Sequence, residues 1–302
     1  MIRAFTHSWN RIGFLSLWVA LLFAGFLPQA RATLILNDSF SDSSRTNQSL
    51  PNSANWVTGG PSNNATVSNG ALTFKDASAG QATAMTYFSA VDLQVGESLT
   101  LSFNYSFTQV ANADNSLMFG LYNSGGSYVT KDGLGFNNSI FNSYTGYATS
   151  GVFGVDPSGP GRDHIEARDK LGNNLLSIGT YSEGPETIQS GAATPGQTYT
   201  AWMQISRTAA GITVASTIGN STLSQKFSTN LFTKFDTVGI FSNGDTGSLT
   251  LDNIKLDYAG VPEPPPYLAM GILAATVFGR VAGRKVQGVF PFLETQLRSL
   301  IA

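Results

Sequence analysis

The chain of 302 residues contains no cysteine. It therefore forms no disulfide bond and offers no thiolate to bind a metal or to act as a nucleophile. A folded region of this sequence must be stabilised by burial of apolar side chains. Redox chemistry through thiols is excluded as a function.

Histidine is almost as scarce, with two residues in the chain. His7 lies in the N-terminal segment, so any Ser-His-Asp relay must use His164. Charged and apolar residues alternate through residues 162–170, as they do on an exposed strand. Glu166 has His164 and Arg168 two positions away, so it lacks the second carboxylate of a retaining glycosidase. We predict no catalytic residues, with a polysaccharide-acting hydrolase as an alternative.

Charge is also sparse, because Asp, Glu, Lys and Arg make up only 12% of the chain. Between residues 33 and 260, 10 basic residues stand against 17 acidic ones, which gives a net charge of −7. Such a region is poorly suited to binding nucleic acid. Abundant Gly, Ser, Thr and Asn are typical of strands joined by turns, with a neutral polar surface.

The first 32 residues have the three parts of a secretory signal peptide. Arg3 and Arg11 precede an apolar run from Ile12 to Leu27, and Ala30-Arg31-Ala32 has the small residues of a cleavage site. We expect cleavage after Ala32 and export of the chain. An uncleaved signal anchor is the alternative.

A proline-rich break precedes a C-terminal apolar run, Tyr267 to Gly279. Proline cannot continue a strand, because it lacks the N–H that the ladder requires. Extended to Gly283, the run approaches the roughly 20 residues of a transmembrane helix, and basic residues after it would face the cytoplasm. The break comprises Val261, Pro262, Glu263 and Pro264, and the basic residues are Arg280, Arg284 and Lys285.

This order of motif, apolar segment and basic residues resembles the PEP-CTERM sorting signal of exported bacterial proteins, over residues 261–285. The resemblance implies a Gram-negative bacterium that makes exopolysaccharide, and a membrane protease, exosortase, that processes the tail. The protein would cross the inner membrane, be anchored there, and then reach the cell surface or the extracellular space. Residues 286–302 are a tail of unknown role, either a small amphipathic helix or an extension past the usual end.

Alternation of apolar and polar residues dominates residues 33–260, and it is clearest at residues 99–107. No comparable helical period occurs in this region. Asn69-Gly70 is a hairpin signal, because both positions tolerate positive φ. These patterns predict one all-β domain, an antiparallel two-sheet sandwich or jelly roll. The other predicted strands are residues 34–40, 71–74, 82–93, 117–122, 150–155, 199–206, 212–218, 237–242 and 248–258.

Four segments resemble the concanavalin-like or laminin-G-like sandwiches, namely residues 36–42, 199–218, 235–240 and 249–254. This resemblance implies a jelly roll in a family whose members are largely carbohydrate-binding or adhesive modules. The fold alone does not establish a function.

Trp202 is the first candidate for a ligand contact. Alternation in residues 199–205 sets Tyr199 inward and leaves Trp202 outward with Gln204. An exposed indole ring can stack on the apolar face of a sugar, while an amide orients the hydroxyls. The alternatives are that a loop covers Trp202 or that the faces of the strand are reversed.

A second candidate surface lies in the aromatic-rich residues 122–153, which include Tyr128, Tyr144 and Tyr147. Loops of this composition can carry rings that bind ligands. The alternative is that these rings cap one end of the sandwich.

A structural calcium ion is the third option, because jelly-roll modules that this region resembles often join their first and last strands through such an ion. Asp38 and Asp252 occupy the matching positions. Taken together, the sequence predicts an exported β-sandwich protein with a structural or carbohydrate-binding role. An adhesin without a small ligand remains a further alternative.

Overall fold

The computed structural model describes residues 32–46, 48–59, 65–75, 81–109, 116–134, 138–152, 162–169, 172, 175, 182–183, 187–188, 193–243 and 247–261. They belong to one compact unit, Arg31–Val261. Within these ranges the chain forms sixteen strands and one short 3-10 helix, Ser139–Ser143. The predicted signal peptide as far as Arg31, the sorting segment after Val261 and the tail 286–302 lie outside them.

Eight strands form the first sheet, called sheet A. They are β1 (Ala32–Asp38), β3 (Ala65–Ser68), β4 (Ala71–Phe74), β6 (Ser98–Phe107), β12 (Tyr199–Thr208), β13 (Gly211–Ile218), β14 (Ser221–Phe227) and β16 (Leu249–Ala259). Their order is β14-β13-β12-β6-β16-β4-β3, and β1 also pairs with β16. A bulge after Asp252 divides this edge of β16 between β4 and β1. The antiparallel pairing of β1 places Ala32 opposite Ala259.

Eight further strands form the second sheet, called sheet B. They are β2 (Val57–Gly59), β5 (Gln81–Asp92), β7 (Ser116–Asn123), β8 (Thr145–Val152), β9 (Arg162–Arg168), β10 (Ser182–Glu183), β11 (Thr187–Ile188) and β15 (Lys234–Asn243). Their order is β10-β9-β8-β7-β15-β5-β2, and β11 pairs with β9.

The main hydrophobic core lies between the two sheets, because each strand turns alternate apolar side chains inward. β6 shows this most clearly, since every second side chain from Leu99 to Phe107 is buried. Phe103 of sheet A meets Phe119 of sheet B edge to face, with ring centroids 5.0 Å apart. The chain crosses between the sheets at β1–β2, β2–β3, β4–β5, β5–β6, β6–β7, β11–β12, β14–β15 and β15–β16. The predicted antiparallel jelly-roll sandwich is confirmed.

The Asn69-Gly70 turn forms as predicted between β3 and β4. Asn69 has φ 54° and Gly70 has φ 74°, so both turn residues are in the left-handed region. Ser68 and Ala71 are directly opposite each other, which makes this a two-residue hairpin of the type that suits the strand twist.

A second hydrophobic cluster covers the outer face of sheet B. Residues 124–134 and 138–144 lie over the sheet and bury Val129, Phe141 and Tyr144 against its outward side chains. A chain of hydrogen bonds holds this segment in place. The Val129 N–H donates to Tyr87 Oη (2.8 Å), the Tyr87 hydroxyl pairs with that of Tyr144 (2.9 Å), and Tyr144 donates to the Ser127 carbonyl (2.7 Å).

An ion pair attaches the same segment to the chain before β2. Arg45 Nη2 lies 2.6 Å from Asp132 Oδ2, and Asp132 Oδ1 accepts the Thr58 N–H at 2.9 Å. Partial burial opposes ionisation of Asp132. The hydrogen bonds from Arg45 and Thr58, together with the Arg45 charge, outweigh that burial and lower the pKa of Asp132.

Several strands differ from the sequence predictions. β2, β10, β11 and β14 were not predicted, and β8 is Thr145–Val152 where a strand at 150–155 was expected. β9 is not the exposed strand that its alternating charges indicated. β9 lies between β8 and the short strands β10 and β11. Asp163, Glu166 and Arg168 are buried there, because neighbouring strands and the segment above sheet B cover both faces.

Candidate functional site

The outer face of sheet A is polar and partly open, in contrast to the covered face of sheet B. Outward positions of its central strands carry mostly Ser, Thr, Asn and Gln. These side chains are only partly buried, whereas the residues between them are core residues. Side chains with hydroxyl or amide groups therefore occupy most outward positions of these strands.

Trp202 lies on this face, at an outward position of β12, as predicted. It is the one aromatic residue at an outward position of the described strands of sheet A. Its direct neighbours across the strands are Thr217 on β13 and Ser102 on β6. Ser102 has a small side chain and so leaves room beside the indole on that side. The row continues to Thr222 on β14 and to Lys255 on β16.

Two hydrogen-bonded pairs join β12 to β6 on either side of this row, and we call them the crossbars. Gln204 Nε2 donates to Thr100 Oγ1 at 3.2 Å. On the other side of Trp202, Thr200 Oγ1 donates to Asn104 Oδ1 at 2.9 Å. The crossbars fix the rotamers of four polar side chains, so the groups around Trp202 are pre-oriented for a ligand.

The charges on this face balance. Lys255 Nζ lies 2.8 Å from Asp257 Oδ2, two residues along the same strand. Asp252 accepts hydrogen bonds from the main-chain N–H and the side-chain amide of Asn253. Lys226 stands at an outward, exposed position of β14. Two cations and two carboxylates thus occupy the outward positions of these strands.

The predicted loop tyrosines lie elsewhere. Tyr128 is 46% exposed and packs edge-on against Tyr87 at 4.8 Å, in the segment above sheet B. The structure therefore places Tyr128 on the opposite side of the sandwich from Trp202 and Gln204. It does not bring the predicted ligand contacts together into one site.

Tyr144 and Tyr147 are core residues, which corrects their prediction as ligand contacts. Tyr147 is fully buried in the main core, and its hydroxyl accepts the Phe232 N–H at 3.1 Å. Burial raises the pKa of Tyr147 to about 12, although that hydrogen bond lowers it. Tyr144 is buried in the second cluster, where loss of water raises its pKa strongly. Neither ring is open to a ligand.

Asp38 and Asp252 do not form the predicted calcium site. Asp38 is buried on the core side of sheet A, opposite Ile254, while Asp252 faces outward. The Asp38 carboxylate accepts three N–H groups, from Phe40 (2.9 Å), Ala54 (3.1 Å) and the indole of Trp56 (2.8 Å). These donors occupy the oxygens that an ion would need.

A buried ionic cluster on the outer face of sheet B was not predicted from the sequence. His164 Nε2 contacts Glu166 Oε1, and the side chains of these residues are 13% and 2% exposed. Arg168 donates through Nε to the Tyr144 carbonyl and through Nη2 to the Phe141 carbonyl, both at 2.9 Å. Through Arg168, β9 therefore holds the segment above sheet B in place.

The described ranges contain no helix with the length and apolar character needed to cross a bilayer. In the same part of the chain, no three His, Asp or Glu side chains come together as they would at a metal centre.

No family model matches this chain, and no curated protein matches its sequence. Similar solved structures include the carbohydrate recognition domain of Emp46p in a potassium-bound form, with 12% identity and a TM-score of 0.43 over 67% of this chain and 87% of that one. A legume lectin-like domain from Entamoeba histolytica has 15% identity and a TM-score of 0.42, over 68% and 90%. The alginate lyase Aly36B, with a bound alginate tetrasaccharide, has 14% identity and a TM-score of 0.43, over 76% and 97%. Likeness at these levels assigns no ligand or reaction to this chain.

Proposed function

We propose that this domain binds carbohydrate on the outer face of sheet A, with Trp202 as the stacking ring. The outward position of Trp202, alone among polar neighbours, is the observation that carries the proposal. Trp202 is half-buried, so part of its indole is open to a ligand. A sugar supplies an apolar ring face for the indole and hydroxyls for the surrounding amides.

The crossbars supply the polar half of this recognition. Gln204 and Asn104 carry amides with donor and acceptor atoms beyond those used in the crossbars. Sugar hydroxyls both donate and accept, so they can pair with either end of each amide. Because these side chains are already held in place, little rotamer entropy is lost when a sugar binds.

A glycan array probed with the purified full chain tests this proposal, together with a Trp202→Ala variant. We expect the wild type to bind a subset of glycans and Trp202→Ala to lose at least about tenfold in affinity, or about 1.4 kcal/mol. Tyr128→Ala is the matched control, because it removes an exposed ring from the other side of the sandwich. Equal binding by wild type and Trp202→Ala would contradict the proposal. Absence of glycan binding by the wild type would favour an adhesin or structural role.

We also propose that the protein is exported and sorted through its two ends. The support comes from the signal-peptide pattern of residues 1–32 and the PEP-CTERM-like order of residues 261–285. An exosortase-like membrane protease would then process the tail, and the sandwich would reach the cell surface or extracellular polysaccharide. Mass spectrometry of the surface protein tests this. A mature chain that still ends at Ala302 would exclude processing.

A further inference from the structure

The polar row through Trp202 runs across the strands of sheet A, and its length limits the ligand that it can hold. Thr222, Thr217, Trp202, Ser102 and Lys255 are direct neighbours on five successive strands. At about 4.8 Å between strands, the four gaps span roughly 19 Å. One gap is close to the length of a single hexose ring in a linear chain, so the row has room for about four sugar units.

The crossbars obstruct a ligand that would run along the strands. Gln204–Thr100 and Thr200–Asn104 each bridge β12 and β6, two residues from Trp202 and Ser102 along the strands. A chain that followed β12 would have to pass over both crossbars. A chain that crosses the strands lies between them, passes over the small side chain of Ser102, and contacts the indole.

The balanced charges limit the chemistry of the ligand. At the end of the row, the charge of Lys255 is balanced by Asp257, whose Oδ2 lies 2.8 Å from Lys255 Nζ. Residues 33–260 as a whole carry a net charge of −7. An anionic chain would meet no excess of positive charge here and would be repelled at long range.

We infer that the row binds a neutral, unbranched polysaccharide that runs across the strands of sheet A. This rests on the proposed carbohydrate function and adds the direction, length and charge of the ligand. A branch beside Trp202 would have to lie over a crossbar rather than between the two. Each added sugar up to about four gains contacts along the row, so affinity rises with chain length and then levels off.

The test uses the full chain on glycans of one to six units, with neutral linear, neutral branched and anionic linear sets. We expect the neutral linear set to bind best, with affinity rising up to about four units. Binding should change less than twofold between about 0.05 and 0.5 M NaCl, because no ion pair forms with the ligand. Strongest binding to single sugars, to branched chains or to anionic chains would overturn the inference.

Two matched pairs of variants test the direction. Ser102→Tyr and Thr217→Tyr obstruct the row, whereas Ser106→Tyr and Thr213→Tyr add the same ring on the same face and strand, four residues away. Tyrosine suits strands, so all four should fold, and urea midpoints confirm this. We expect the row variants to lose at least about tenfold in affinity and the controls less than about twofold. If one row variant fails to fold, the other pair decides.

Failure of the inference and failure of the proposed function give different results. The row variants and the control variants could lose affinity equally while Trp202→Ala still binds glycan poorly. That result would reject the direction of the bound polysaccharide but leave carbohydrate binding at Trp202 in place. A wild type that binds no glycan would reject both.

Discussion

Removal of the Asp38 carboxylate should destabilise the domain strongly and without any involvement of calcium. Three N–H groups point at this buried side chain, from Phe40, Ala54 and the Trp56 indole, at 2.8–3.1 Å. In Asp38→Ala they lose their acceptor in a place that water does not reach. A buried donor left without a partner costs about 1–3 kcal/mol. Because the three share one acceptor, we expect a total near 4 kcal/mol rather than the full sum.

Urea unfolding followed by tryptophan fluorescence measures this loss. Asp42→Ala is the matched control, because Asp42 lies in the same turn but is exposed and accepts one N–H, from Ser44 at 3.0 Å. We expect it to change the free energy of unfolding by about 0.5 kcal/mol or less. A loss below about 1 kcal/mol in Asp38→Ala would refute the hydrogen-bonding argument.

Calcium separates the two roles considered for this carboxylate. The wild type should unfold at the same urea concentration with calcium or with a chelator, because N–H donors already occupy the oxygens of Asp38. If calcium raised the midpoint of the wild type but not that of Asp38→Ala, the carboxylate would be an ion ligand and the present assignment would be wrong.

Two further predictions concern the segment above sheet B and the tight turn at Gly211. The lowered pKa of Asp132 means that its ion pair with Arg45 stabilises the fold above the unfolded-state pKa of about 3.9, and that this is lost as the pH falls through the lowered folded-state value. The pH midpoint of acid unfolding should therefore differ between the wild type and Asp132→Asn, and equal midpoints would contradict this. Gly211→Ala should cost at least about 2 kcal/mol, because φ is 130° and the added Cβ would lie 2.1 Å from the Phe227 carbonyl oxygen. Gly196→Ala, with φ 81° and open space, should cost only about 1 kcal/mol, and equal losses would refute the steric argument.

Local pattern was sufficient to predict the strands with a strong apolar period. β6 alternates without interruption, and Asn69-Gly70 has turn chemistry that few other dipeptides offer. β14 was not predicted because it has only two apolar residues, Leu223 and Phe227. The Gly219-Asn220 pair before it is a turn signal that could have revealed the hairpin.

Contacts between distant segments were beyond the reach of such patterns. The alternation of charges in β9 indicated exposure, yet Arg168 is buried because it binds carbonyls of a segment more than 20 residues away. The same limit applies to the candidate site. Alternation placed Trp202 on the outer face, but only the strand register shows that Ser102, a hundred residues earlier, lies beside it.

The antiparallel pairing of β1 with β16 determines how the domain responds to mechanical load. Ala32 and Ala259 lie at the same end of their ladder, so a force that separates the two ends of the domain pulls on one hydrogen bond at a time. Such unzipping needs far less force than shearing, in which all the bonds of a ladder resist together. Under tension between its ends, the sandwich should therefore release β1 first and leave the strands around Trp202 paired.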